Sequence, residues 1–134
     1  MADGELRVPI HSEYDIVAAR QQVRKLCAAL NFSAVDLTLV ATCVSELARN
    51  IVEYAGSGVM IMALENSKDA RGVVIIAQDQ GPGIPDIESA MKDGYSTGNG
   101  LGLGLPGCRR IMDVFAIVSK KGEGTTVTVK KWKR

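Results

Sequence analysis

The sequence predicts an α/β (α+β) two-layer sandwich, a sheet with helices on one face. Three observations carry that expectation. Residues 14–30 and 34–51 repeat apolar side chains at three- and four-residue steps; several shorter stretches alternate or run on in β-branched residues; and a glycine-rich segment at 81–107 interrupts them. With 134 residues, the chain is expected to form one domain, 1–134, and to bury roughly two-thirds of the surface it exposes when unfolded. Its residues are 46% apolar but only 4% aromatic, so the core is expected to be built from Val, Ile, Leu and Ala.

The elements follow in order. Leu6-Arg7-Val8-Pro9-Ile10 alternates and contains a proline, which predicts an edge strand. Ile16, Val17, Ala19, Val23, Leu26, Cys27 and Leu30 define a first helix that Ser12 or Asp15 can cap and Asn31 can end. Ser33 is a good N-cap for a longer helix, whose stripe is Leu37, Val40, Ala41, Val44, Leu47, Ala48 and Ile51, with Gly56 and Gly58 ending it. Residues 58–65 and 72–79 read as two strands joined by a polar turn, the second so continuously apolar that it belongs in the centre of the sheet. Residues 81–107 hold eight of the fourteen glycines and three of the four prolines, a composition that predicts a long functional loop. A short helix is expected around 86–93, and another from Leu103 or Leu105 to Asp113. Residues 115–119 and 125–129 then form a hairpin across Lys121-Gly122-Glu123-Gly124.

Sixteen basic and fifteen acidic residues leave a formal charge of +1, which provides no field for nucleic acid or an anionic membrane, and neither partner is expected. The basic end, Lys120-Lys121 and then residues 130–134, reads as a solvated strand edge and tail rather than a partner site. Cys27, Cys43 and Cys108 are odd in number and lack a CxxC spacing, so they are expected to be reduced, buried thiols, and the single His11 leaves no Cys/His zinc pattern. Met1 to Glu5 has no basic and apolar leader pattern and no segment is of membrane-spanning length, so a cytoplasmic location is expected.

Two familiar patterns are decoys. Gly102-Leu103-Gly104-Leu105-Pro106-Gly107 fits a dinucleotide fingerprint but has no strand immediately before it. Gly94-Tyr95-Ser96-Thr97-Gly98 fits a nucleophile elbow but lacks both that strand and a later histidine. The better reading is a nucleotide clasp. Asp79, at the end of a buried strand, can accept a hydrogen bond from the adenine amine, and Gly81 and Gly83 let the backbone turn tightly beside the base. Gly100, Leu101, Gly102, Leu103, Gly104 and Leu105 expose amides at a helix start, where phosphate binds well. Asn50 offers a hard oxygen suited to Mg²⁺. Glu46, one turn earlier and about 40° away on the helical wheel, can take a proton from an attacking hydroxyl or water. Alone, each piece has a bland alternative: a solvated helix face, an ordinary turn, a flexible loop. Their order and spacing favour ATP with Mg²⁺.

These residues resemble the GHKL ATPase superfamily. Glu46 to Asn50 is similar to its N box, Asp79 to Gly83 and Gly100 to Leu105 to its two glycine boxes, and Gly124-Thr125 to its closing Gly-Thr element. The resemblance implies a Bergerat fold with a mixed, largely antiparallel sheet, Mg²⁺ on Asn50, Glu46 as base, adenine on Asp79 and support from Thr125. Ser45-Glu46-Leu47-Ala48-Arg49-Asn50, the proline-bearing Asp79 to Asp86 segment, Asp93 to Thr97 and Gly104-Leu105-Pro106-Gly107 further resemble the RsbT-type switch kinases of bacterial stress signalling. That implies phosphorylation of serine or threonine on STAS-domain scaffold proteins of the stressosome, and activation of a PPM-type phosphatase after release. Arg49, and Ile51-Val52-Glu53-Tyr54 without a histidine, depart from the sister anti-sigma-factor kinases.

The expected chemistry is in-line transfer of a γ-phosphoryl group to a partner's hydroxyl, with Ser96, Thr97 and the 100–104 amides holding the phosphates. Arg49 and Arg109 are candidates for phosphate or partner contact, or for surface salt bridges. The glycine loop is expected to be mobile until MgATP orders it. No long exposed apolar stripe specifies an oligomeric state.

Overall fold

The computed structural model describes residues 5–67, 69–83 and 104–134. The elements run β1 (Leu6–Ile10), α1 (Glu13–Ala29), α2 (Ala34–Asn50), a π-helical turn (Ile51–Ala55), β2 (Gly58–Asn66), β3 (Arg71–Asp79), α3 (Gly104–Ile111), β4 (Val114–Lys120) and β5 (Gly124–Trp132). The five strands form one sheet in the order β1-β2-β3-β5-β4, so β3 is central, as its apolar run predicts, and the proline-bearing β1 is at an edge. Where the resemblance implied a mixed sheet, every pairing among the described residues is antiparallel. The helix expected at 86–93 lies outside the described residues.

Local chemistry sets the helix ends. The Asp15 carboxylate accepts the backbone N–H groups of His11 at 2.8 Å and Ser12 at 3.2 Å, and the Ser33 hydroxyl accepts that of Asp36 at 3.1 Å. Asn31 takes a left-handed conformation (φ 59°) between α1 and α2. The second helix does not run straight to Gly56: past Asn50 it widens into the π turn, closed by the Gly56 N–H on the Ile51 carbonyl at 2.9 Å. Such turns are uncommon and recur at functional sites.

Period-two alternation assigns one sheet face to the core. Val8, Met60, Met62, Val73, Ile75, Ala77, Val127 and Val129 are buried with Ile16, Ala19, Val23, Val40, Val44 and Leu47 of the two long helices. The other face carries partly exposed Val59, Ile61, Val74, Ile76, Thr126 and Thr128. Cys27, Cys43 and Cys108 are free and buried. Burial, with the Asp36 charge, pushes the Cys27 thiol up to about 12. A hydrogen bond with Cys108, then burial, raises Cys43, so Cys27 and Cys43 are protonated and inert at neutral pH. Among the described residues, no helix is long and apolar enough to cross a membrane.

The basic end departs from its expected solvated role. Strand β5 lies between β3 and β4 rather than at an edge, and Lys131 on its core-facing side is only 7% exposed. Its ammonium donates to the Ile111 carbonyl at 2.8 Å, at the C-terminus of α3, where a cation is favoured. Asp113, just after α3, accepts the Trp132 N–H at 2.7 Å and pairs with Arg134. Burial raises the Asp113 pKa, but the Arg134 and Trp132 hydrogen bonds and the Lys131 and Arg134 charges outweigh it and hold the carboxyl below its ordinary value. Its contribution to stability is therefore complete above the unfolded value near 4 and is lost as pH falls through the lower folded value. Asp113→Asn is expected to melt below the wild type at pH 7, with the gap closing as thermal melts are taken below about pH 4.

Candidate functional site

A cavity open to solvent lies at the end of the sheet. The sheet register builds its polar end. Asp79 is the last residue of β3, flanked by Gly58 on β2 and Thr125 on β5. Its Oδ1 accepts the Gly81 N–H at 2.9 Å; among the described residues Oδ2 has no hydrogen bond and is available to a donor. Thr125 shares its hydroxyl with Ser119 at 2.7 Å, which orients it beside Asp79. The apolar wall is Leu47, Ile51, Tyr54, Ala77, Leu105 and Val127, with Asn50 at the rim. A flat ring with one amine edge fits between such walls and a single carboxylate.

Two glycines let the backbone segments beside the cavity approach closely. A Cβ on Gly81 would come within 2.6 Å of the Ala55 Cβ, so only glycine lets the segment after β3 lie against the π turn. Gly124 has φ +104°, and a Cβ there would collide with the Asp79 carbonyl. The Gly122 N–H donates to the Pro82 carbonyl at 2.8 Å, tying the β4–β5 turn to the first glycine segment.

Asn50, Asp79, Gly83, Leu105 and Thr125 thus meet around one cavity, with Gly81 packed beneath it and Gly104, the first residue of α3, next to Leu105. Ser96, Thr97, Gly100, Leu101, Gly102 and Leu103 lie outside the described residues. Glu46 is elsewhere. It is buried, at 6% exposure, and lines a neighbouring groove between α1 and α2, together with Arg20, Arg24 and Arg49. Four residues along a helix are about 6 Å of rise, enough to put two side chains of one flank in adjoining cavities. Arg109 is exposed on α3.

Sequence reasoning missed Tyr54 and the two arginines of α1. The signal for Tyr54 was its position four residues after Asn50, and Arg20 and Arg24 share the same i, i+4 spacing. Leu47 and Ile51 were recognised as core; they also form the cavity wall.

The fold and cavity define a nucleotide-binding domain, and comparison with known proteins identifies it. The sequence model for the histidine kinase-like ATPase domain matches residues 11–131. The chain belongs to that family. It is 50% identical over 127 residues to the serine/threonine-protein kinase RsbT of Bacillus subtilis (strain 168), covering 95% of this chain and 96% of that protein. It is also 31% identical to the anti-sigma F factor of Clostridium beijerinckii, over 98% of this chain and 96% of that one. The protein is therefore an ATP-using kinase of this family. Asp79→Asn replaces the available acceptor in the cavity by an amide donor; it is expected to weaken ATP binding at least about tenfold in a calorimetric titration, with little change in melting temperature. Gly81→Val is expected to weaken binding through the clash with Ala55 and to lower the melting temperature as well.

Proposed function

We propose that this single-domain kinase, working in the cytoplasm, transfers the γ-phosphoryl group of ATP to a serine or threonine of a STAS-domain scaffold or antagonist protein. In this reading it serves a bacterial stress-signalling module that works by partner switching, and when released from the stressosome it binds and activates a PPM-type phosphatase. One observation carries the proposal. On α2, Asn50 faces the nucleotide cavity while Glu46, one turn earlier, faces the groove beside it. A nucleotide seated on Asp79 would approach Glu46 from one side, and a hydroxyl on another protein could reach it through the groove.

In the transfer, the acceptor oxygen attacks the γ-phosphorus, the bond to the β–γ bridging oxygen breaks with its electron pair leaving on ADP, and the hydroxyl proton goes to Glu46. Asp79 and Thr125 hold the base, and the Leu47, Ile51 and Leu105 walls exclude water from it. Asn50, with one hard oxygen at the cavity rim, fits Mg²⁺, which takes its remaining ligands from phosphate and water; when bound, the ion supplies charge neutralisation at the phosphates. Ser96, Thr97 and the 100–104 amides complete the phosphate cradle in this reading.

The anti-sigma F relatives support a second reading, an anti-sigma-factor kinase. Arg49 and the lack of a histidine after Asn50 weigh against it. Incubation with labelled ATP and purified STAS-domain proteins, followed by mapping, is expected to find label on serine or threonine of the STAS protein. Label on histidine, or on this chain alone, would overturn the reading, and tight capture of a sigma factor would favour the second. Glu46→Gln is expected to slow transfer about 10²- to 10⁴-fold while ATP still binds.

A further inference from the structure

The rungs of the sheet that face the helices are apolar toward its middle and turn polar at the nucleotide end. Across β4, β5 and β3, Phe115, Val129 and Ile75 stand opposite one another, then Ile117, Val127 and Ala77, and then Ser119, Thr125 and Asp79. Asp79 and Thr125 line the nucleotide cavity, and Ser119 stands one strand behind them. The Ser119 and Thr125 hydroxyls are 2.7 Å apart, the usual length of a good O–H···O bond, and the Ser119 hydroxyl also lies 3.3 Å from the Gly124 carbonyl. Each hydroxyl has one proton, so the pair has two arrangements. In the outward one Thr125 donates to Ser119 and Ser119 to Gly124, which leaves Thr125 only lone pairs to offer the cavity. In the inward one Ser119 donates to Thr125, and the Thr125 proton is released toward the cavity.

We propose that Ser119 is a positioning residue for the base: by donating to Thr125 it aims the Thr125 proton at the ring nitrogen beside the adenine amine, directly or through one water. The inference rests on the reading above, in which Asp79 and Thr125 hold the base, and adds the group that sets the polarity of Thr125. Adenine presents a donor, its amine, and an acceptor, the ring nitrogen, side by side on one edge. An ionised Asp79 accepts the amine and has no proton to give, so the ring nitrogen needs a donor from a neighbouring strand. Gly58, the partner of Asp79 on β2, has no side chain, and its partner on β5 is Thr125. The inward arrangement supplies the donor and releases only the longer of the two Ser119 contacts. A hydroxyl that accepts one hydrogen bond is also a stronger donor in the next. Guanine presents the opposite pattern on this edge, an acceptor beside a donor, so Asp79 and the inward chain reject it together.

The test is calorimetric titration of the full-length protein, without acceptor, with ATP and with its 1-deaza analogue, in which C–H replaces that ring nitrogen. Ser119→Ala is expected to weaken ATP binding about three- to tenfold and to leave affinity for the deaza analogue at its wild-type value, while Ser119→Thr restores ATP binding. Thr125→Val, which keeps the shape of the side chain and removes the hydroxyl, is expected to show the same selective loss. A merely structural role for Ser119 would lower affinity for both nucleotides by the same factor, and that result overturns the proposal, as does wild-type ATP affinity in Ser119→Ala. Equal affinity of the wild type for the two nucleotides overturns it as well. If Asp79→Asn weakens ATP binding and Ser119→Ala does not, the base site stands and the role of Ser119 falls. If neither variant changes ATP affinity, both fall.

Discussion

The site depends on one ladder: β3 held between β2 and β5. Asp79 has its position because β3 is paired on both sides along its whole length, with Gly58 and Thr125 as its final partners. A slip of one residue in either pairing would turn Asp79 away from the cavity and expose Val73, Ile75 and Ala77, so burial of the core face and placement of the carboxylate are the same constraint. The close approaches around it share that origin. Gly81 can lie on the π turn, and the Gly122 amide can hold Pro82, only when β3 and β5 end level with each other.

The second long helix divides two kinds of chemistry. Its apolar side, through Val40, Val44 and Leu47, packs in the core; its last turn carries Asn50 to the cavity, and the turn before carries Glu46 and Arg49 to the groove. A nucleotide site and an acceptor route can therefore be coupled without any further element. The π turn extends the nucleotide side, since Tyr54 on it lines the cavity with Asn50.

Most elements were legible in the sequence because each is specified locally. The i, i+3, i+4 stripes of the two long helices, the Ser33 cap, the proline in β1 and the continuous apolar run of β3 all express short-range rules, and the structure follows them to within a residue or two. The failures are non-local. Lys131 reads as a tail residue until β5 is inserted between β3 and β4, when its ammonium becomes the cap of α3. The π turn gives no sign in composition, and Ala55 at its end packs against Gly81, a residue far along the chain.

The same division holds for function. By itself, the sequence determined the family and singled out its segments: Glu46 with Asn50, Asp79 with Gly81 and Gly83, and the Gly124-Thr125 pair are short stretches recognisable from residue type and order. Tertiary structure alone decided which cavity each side chain serves. That Asn50 joins Asp79 and Thr125, while Glu46 joins Arg20 and Arg24, follows from the sheet register and from the packing of α1 on α2. Both are set by burial of apolar surface between segments distant in sequence, which no local pattern encodes.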